Sequence, residues 1–124
     1  MIKIPNSEFK VMRFVWKSES NSITSMHISN AMNDMYGWKQ TTTLTILSKL
    51  VKKGFLDSLK IGRYTHYTPI IRKQDYIEFE TKFFFENIHD GSLKSLFKSL
   101  SNLELLSKKD IYFIKNWIER KKYL

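Results

Sequence analysis

The chain has 124 residues, a formal net charge of +9, no cysteine, and 42% hydrophobic and 15% aromatic residues. This length fits one domain, or one small domain with a dependent extension, and the apolar content excludes wholesale disorder. The absence of cysteine excludes disulfides, zinc–thiolate sites and thiol chemistry, and suits a reducing cytosol.

The positive charge is concentrated in the first part of the chain. Residues 1–74 contain 12 Lys or Arg against 4 Asp or Glu, a net of +8, whereas residues 75–124 contain 9 against 8, a net of +1. A compact basic unit attracts a polyanion through counterion release, so nucleic acid is the predicted partner, and a merely solvated basic surface is the alternative. Because no stretch approaches the ~20 apolar residues of a membrane span, and the amino end lacks a signal-peptide run, we expect a cytoplasmic protein.

The first two predicted helices each have one apolar face. Asn6 or Ser7 can cap the first helix, Thr24 or Ser25 can cap the second, and Gly37 ends the second. The inward positions recur at three-to-four spacing: Phe9, Met12, Val15 and Trp16 in the first helix, and Ile28, Ala31, Met32 and Met35 in the second.

The third helix is predicted over about residues 39–53 and ends at Gly54. Its periodicity allows two registers. In the first, Thr43, Ile46, Leu47 and Leu50 face the core, and Thr41, Leu44, Thr45, Ser48 and Lys52 share the outer face. In the second, Leu44 and Val51 point inward and the outer set is rotated.

A tight hairpin is predicted directly after this helix. Residues 55–60 and 64–68 are short and rich in β-branched or aromatic side chains, residues 61–63 separate them, and Pro69 closes the second strand. A helix followed by a basic hairpin is typical of a recognition helix and its wing, in which the helix enters a major groove and the hairpin tip reaches a neighbouring groove or phosphate.

The residues predicted to contact DNA are hydroxyl, amide and basic side chains of this helix and hairpin. Hydroxyl groups and amides can donate to phosphates and bases, threonine methyls can meet a thymine methyl, and lysines neutralise phosphates. The alternative is that the threonines only cap and solubilise an ordinary helix and that the tip arginine is an exposed turn residue. The set is Lys39, Gln40, Thr41, Thr42, Leu44, Thr45, Lys49, Lys60, Arg63 and Tyr64.

The C-terminal region, residues 73–124, is predicted to be helical and to mediate dimerisation, after a winged-helix domain over residues 1–72. It contains more apolar side chains than three short helices can bury, and large exposed apolar patches usually mark interfaces. A twofold dimer would present two recognition helices to a palindromic site. Ser107 and Asp110 have the spacing of a capping box. The predicted dimerisation residues are Phe79, Phe83, Leu93, Leu96, Phe97, Leu100, Ile111, Ile114, Trp117 and Ile118. In the alternative, they pack on the first domain as ordinary core.

No arrangement of catalytic or metal-binding residues is present in the sequence. His27, His66 and His89 lie far apart and do not have a metal-ligand spacing, and no serine lies in a nucleophile elbow or phosphate loop. We therefore predict no enzymatic activity, no metal and no cofactor.

A set of short pieces spread over nearly the whole chain has an order and spacing more specific than those of a generic winged helix. These pieces are residues 8–16, Trp38, Thr42, Thr45, Leu47, Lys49, Leu50, Lys53-Gly54, Gly62-Arg63, Tyr67-Thr68-Pro69, residues 75–77 and residues 91–96. In these pieces the sequence resembles the penicillinase repressor family (BlaI/MecI type).

The resemblance implies a mainly α-helical, homodimeric transcriptional repressor of resistance-type genes, with a winged helix-turn-helix on double-stranded operator DNA. It also implies relief of repression by a membrane sensor-protease that cuts the dimerisation region. Such members are typically cut at an Asn-Phe bond, and the pair at the corresponding position here is Ser99-Leu100. The family motif is absent at this position.

Two further departures from the family pattern affect the predicted function. The copper-responsive branch carries a C-terminal cysteine motif, so a chain without cysteine does not sense copper in that way. Thr41 and Leu44 stand where relatives commonly have Lys and a polar residue, which predicts a different base preference. The main alternative function is a winged-helix adaptor that binds an acidic protein, and a weaker one is binding to RNA or an anionic membrane surface.

Overall fold

The structure is a computed structural model that describes residues 1–122, and in this range six helices and three short strands follow one another. They are α1 (Asn6–Lys17), β1 (Ile23–Thr24), α2 (Ser25–Tyr36), α3 (Gln40–Lys52), β2 (Leu56–Ile61), β3 (Tyr64–Pro69), α4 (Lys73–Asn87), α5 (Leu93–Asn102) and α6 (Lys108–Lys121). The chain divides into two compact units, Met1–Glu80 and Thr81 onward.

The three strands form one antiparallel sheet in the order β1-β3-β2. β2 and β3 are the predicted hairpin, and Ile61 lies opposite Tyr64 across its turn. Gly62 opens the turn with a φ of +61°, a left-handed conformation that glycine adopts without steric cost. The sequence did not predict β1, which pairs Ile23 with Tyr67, because two residues are too few to show alternation.

The core of the first unit is formed by one face of each of its helices and by the inner side of the sheet. α1 contributes Val11, Met12 and Val15, α2 contributes Ile28 and Met32, α3 contributes Ile46, Leu47 and Leu50, and the hairpin region contributes Phe55, Leu56 and Tyr67. The prediction that Met35 faces inward was wrong, because it lies in the last turn of α2 beyond this cluster and is exposed. The predicted cap of α1 was also wrong, since Asn6 is already helical and Pro5 precedes it without a side-chain hydrogen bond.

The start of α4 belongs to the first unit. The Tyr76 ring is fully buried, and its hydroxyl oxygen accepts a hydrogen bond from the Ile4 backbone N–H at 3.0 Å. Trp16 Nε1 donates to the Ile71 carbonyl at 2.9 Å. Phe79, for which we predicted a place at the dimer interface, is half-buried and packs against this core, because it follows Tyr76 by one helical turn. The compact unit therefore runs past the predicted boundary at residue 72.

The second unit contains the end of α4 and the helices α5 and α6. Ser92 caps α5 by accepting from the Ser95 backbone N–H. The predicted capping box of α6 is confirmed: Asp110 N–H donates to Ser107 Oγ at 3.1 Å, and Ser107 N–H donates to Asp110 Oδ2 at 2.8 Å. Both helices therefore begin at the serines that their sequences place there.

Candidate nucleic-acid interface

The outer face of α3 is the first component of the site. Thr43, Ile46, Leu47 and Leu50 are buried, which confirms the first predicted register. The second register was wrong, because Leu44 is 38% exposed. All ten residues predicted to contact DNA are exposed: Lys39, Gln40, Thr41, Thr42, Leu44, Thr45, Lys49, Lys60, Arg63 and Tyr64.

The N-terminal end of α3 is positioned by the short segment that joins it to α2. Asn33 Nδ2 donates to the Trp38 carbonyl at 3.0 Å, and the rings of Tyr36 and Trp38 lie 5.4 Å apart. Gly37, with a φ of +70°, ends α2 and turns the chain toward α3. The role of Asn33 was not predicted from the sequence, because a side chain that donates to a carbonyl five residues later leaves no periodic pattern.

Residues 39–69, which contain α3 and the hairpin, are strongly basic and almost free of acidic groups. Between residues 39 and 69 the only acidic residue is Asp57, against six basic ones, Lys39, Lys49, Lys52, Lys53, Lys60 and Arg63. Lys53 forms an ion pair with the buried Glu8 of α1. None of the other five forms an ion pair within residues 1–122. Their charge is therefore available to an external anion such as a phosphate.

The hydroxyl of Thr45 is engaged within α3. Thr45 Oγ1 donates to the Thr41 carbonyl oxygen at 2.9 Å, a bond from one helical turn to the preceding one. In the free protein this hydroxyl hydrogen is engaged, so donation to a phosphate or base, which stays a prediction, requires the hydroxyl to turn away from Thr41. Thr45 still offers its oxygen lone pairs and its methyl group on the exposed face.

The hairpin presents a basic tip with an apolar outer side. Lys60 pairs with Thr65 one step from the turn, and Arg63 occupies the turn itself. Leu56 and Tyr67 are buried, and alternation along the strands directs Leu59, Ile61 and Tyr64 to the opposite, exposed side. The exposed arginine beside Gly62 has the placement that was predicted for a wing.

The histidines occupy three separate environments. The His27 and Phe14 rings lie 5.5 Å apart and nearly perpendicular, His66 Nδ1 lies 3.2 Å from Ser22 Oγ, and His89 Nδ1 lies 2.8 Å from Ser95 Oγ. No group of three or more His, Cys, Asp or Glu side chains that could hold a metal ion occurs in residues 1–122. In the same range, no helix is both long and apolar enough to cross a bilayer.

A family model described as the penicillinase repressor matches residues 4–120 of the chain. The chain belongs to the penicillinase repressor family. The penicillinase repressor of Bacillus licheniformis is 33% identical over 114 residues, which cover 90% of this chain and 88% of that protein. The methicillin resistance regulatory protein MecI of Staphylococcus aureus (strain N315) is 25% identical over 119 residues, which cover 96% of this chain and 95% of that protein.

This member of the penicillinase repressor family is similar to a relative whose structure was solved with DNA. The solution structure of monomeric Bacillus licheniformis BlaI with the blaP half-operator is 35% identical, with a TM-score of 0.52, and the match covers 60% of this chain and 89% of that one. The similarity confirms the predicted winged-helix fold. Family membership confirms the predicted class, a transcriptional repressor and not an enzyme.

The second unit of this family member contains the remaining predicted dimerisation residues, and none of them is buried. Leu96, Phe97, Leu100 and Ile114 are half-buried, and Phe83, Leu93, Ile111, Trp117 and Ile118 are exposed. An apolar hollow beside α5 and α6 is lined by Phe97, Leu106, Ile111, Ile114 and Ile118, together with Lys115 and Glu119. A monomer therefore leaves part of the apolar surface of all nine residues in water.

The Ser99–Leu100 pair lies inside α5, and both residues are half-buried. A protease binds its substrate in an extended form, so cutting this bond requires α5 to open locally. In the free chain the Ser99–Leu100 bond is therefore less accessible to a protease than a bond in an exposed loop.

Proposed function

We propose that this repressor occupies a palindromic, double-stranded operator as a homodimer, with one α3 and one hairpin on each half-site. The observation that carries the proposal is the exposed, basic outer face of α3 beside the basic hairpin tip, on a chain of this repressor family. Bound BlaI on a half-operator is the relevant precedent among the relatives.

In this arrangement the side chains of α3 divide into two roles. Gln40, Thr41 and Thr42 lie in the first turn, where hydroxyl and amide groups can bond phosphates or base edges. Lys39 and Lys49 neutralise backbone phosphates on either side. Leu44 and Thr45 lie further along the exposed face and meet the bases in the major groove.

The wing adds a contact outside the major groove. Lys60 and Tyr64 flank the turn, and Arg63 projects from it. Arginine is favoured in a narrow minor groove by the negative potential there. The wing therefore raises affinity and fixes orientation, and carries less sequence information than α3.

The homodimer is proposed on the apolar surface of the second unit. Nine of the ten residues predicted for dimerisation lie there without being buried. Burying such a surface against a second copy removes apolar area from water at about 25 cal/mol per Å². Two linked heads then bind a palindrome more tightly than one.

The genes that we propose for regulation are of the antibiotic-resistance type, because the relatives are named for penicillinase and methicillin resistance. We propose that the protein acts in the cytoplasm, where operator DNA is available. A membrane sensor-protease that cuts at Ser99–Leu100 stays a prediction from the family resemblance. Release of the operator by proteolysis requires the protease to recognise Ser-Leu in place of the family's Asn-Phe pair, and it requires α5 to open locally.

The test is binding of the purified full-length chain to duplexes across a salt series. The protein would first be used to select bound duplexes from a pool of random-sequence DNA. The palindromes obtained in this way would be compared with scrambled duplexes of equal length as the control. We expect a preference for the selected palindrome and a steep loss of affinity as salt rises. A flat salt dependence, or equal binding to the scrambled duplex, would leave the adaptor hypothesis instead.

A further inference from the structure

Leu44 is an apolar residue in the part of α3 that otherwise carries polar and basic groups on its exposed side. It is 38% exposed, in the second turn of the helix. It lines one shallow surface groove together with Thr45, Ser48, Lys49 and Lys52. A single exposed leucine is ordinary on a protein surface, so its meaning depends on these neighbours.

The neighbours of Leu44 in this groove carry few groups that distinguish one base from another. The Thr45 hydroxyl hydrogen is donated to the Thr41 carbonyl in the free protein, so the Thr45 side chain presents an acceptor and a methyl group there. The exposed Ser48 hydroxyl can donate or accept, so it fits any base edge. The lysines of the groove are flexible point charges that suit phosphates better than base edges. Leu44 is therefore the apolar group of a groove whose polar groups provide no paired hydrogen bonds to one particular base.

Only one base carries an apolar group in the major groove, which is the 5-methyl group of thymine. We propose that Leu44 selects a thymine by contact with its 5-methyl group, at one position in each half of the operator. This inference rests on the DNA-binding function proposed above and adds a determinant of its sequence preference. The Thr45 methyl group lies next in sequence and extends the same apolar contact.

The decisive reagent is uracil, which pairs as thymine does and lacks only the methyl group. Each thymine of the selected operator is replaced by uracil in turn, symmetrically in both halves, and the dissociation constant is measured for the full-length protein. For the wild type we expect one position at which the replacement weakens binding about 4-fold per half-site, the effect of removing one methyl group from apolar contact. The other positions should change little.

Three variants test whether Leu44, and not another exposed apolar residue, causes the uracil effect. In Leu44→Ala, the uracil effect should disappear while binding to random duplex at low salt is retained. In Leu44→Gln, selection should shift the same position toward adenine, which glutamine recognises through paired hydrogen bonds. Met35→Ala is the matched control, because Met35 is an exposed apolar residue on α2, and it should keep the full uracil effect.

The outcomes distinguish this inference from the function on which it rests. If the wild type prefers a palindrome but tolerates uracil at every position, or if the selected operator contains no thymine, the Leu44 proposal is overturned and the repressor proposal stands. The same holds if Leu44→Ala keeps the wild-type uracil effect. If the wild type shows no preference for any duplex, the proposed function itself fails. Unchanged melting temperatures of the variants would show that all are folded.

Discussion

Lys53 Nζ lies 2.7 Å from Oε1 and 2.9 Å from Oε2 of Glu8, so both carboxylate oxygens accept from one ammonium group. Glu8 lies in the first turn of α1, and Lys53 directly follows α3. The two side chains differ in burial, with 3% of Glu8 and 28% of Lys53 exposed. The pair therefore joins the end of α3 to α1 and buries mainly the acidic partner.

This difference in burial predicts unequal effects of removing each partner. Lys53→Met leaves a buried carboxylate without a counter-charge, and we expect a loss of about 3 kcal/mol in the free energy of unfolding. Glu8→Gln leaves a lysine that can turn toward water, so its loss should be clearly smaller. Urea unfolding of both variants measures the difference. Equal losses would mean that burial of Glu8 does not control the energetics of the pair.

The Tyr76 hydroxyl is predicted to contribute through the Ile4 hydrogen bond as well as through packing. Tyr76→Phe keeps the ring in the core but leaves the buried Ile4 N–H without its acceptor. We expect a loss of about 1 to 3 kcal/mol, the usual cost of an unsatisfied buried donor. Thermal and urea unfolding would measure it. A variant as stable as the wild type would show that water reaches Ile4 N–H.

The same residue predicts a decline in stability at alkaline pH. Burial raises the pKa of Tyr76 above its ordinary value of 10.0, and it raises the pKa of Tyr67 as well. A group whose pKa is higher in the folded state stabilises the fold below its unfolded pKa and loses that contribution as pH rises through the folded value. Stability should therefore fall above about pH 10. The unfolding free energy of Tyr76→Phe should fall less steeply with pH than that of the wild type. Identical pH dependences would contradict the assignment of this loss to Tyr76.

The Thr43 hydroxyl is predicted to destabilise the core. Thr43 is fully buried on the inner face of α3, and its Oγ1 has no hydrogen-bond partner among the described residues. Thr43→Val replaces the hydroxyl with a methyl group at similar shape, which should raise the unfolding free energy by about 1 kcal/mol. Because the side chain points into the core, operator affinity should not change. A less stable variant would indicate that an ordered water serves the hydroxyl.

The dimer proposal predicts that a charge in the hollow of the second unit separates the subunits. Ile114 lies on α6 and lines this hollow. Ile114→Asp should raise the dimer dissociation constant on the order of 100-fold or more, because burying an unpaired carboxylate is costly. Sedimentation equilibrium measures it, with Lys98→Asp on the exposed side of α5 as control. A dimer unaffected by Ile114→Asp would place the interface elsewhere.

The features predictable from sequence were those with a local pattern. The register of α3, the hairpin and the α6 capping box follow from spacings of a few residues, and all three are present. The Glu8–Lys53 pair joins residues 45 apart in sequence, and no local pattern indicates it. Phe79 has the apolar character of the second unit, but its position one turn after the buried Tyr76 places it in the first core.

The roles of α3 and the wing in DNA binding predict different consequences for two substitutions. Arg63 lies on the hairpin tip and is assigned to phosphate or minor-groove contact, which carries little sequence information. Arg63→Ala should therefore weaken binding to operator and scrambled duplex by the same factor and lower the salt-dependence slope by about 1. Thr45 lies on the exposed side of α3 for which we propose major-groove contact, so its substitution should act on sequence preference instead.

Thr45→Val keeps a methyl group but removes the acceptor oxygen and the internal bond to Thr41. Because the oxygen can accept only from a donor such as the adenine or cytosine amino group, its loss should relax preference at one operator position and leave affinity for scrambled duplex unchanged. Thr45→Ser, which retains the oxygen, should preserve that preference. Competition assays with single-base variants of the operator measure the base preference of Thr45→Val and of Thr45→Ser. A uniform loss for Thr45→Val, matching that of Arg63→Ala, would mean that Thr45 contacts only the backbone of the DNA.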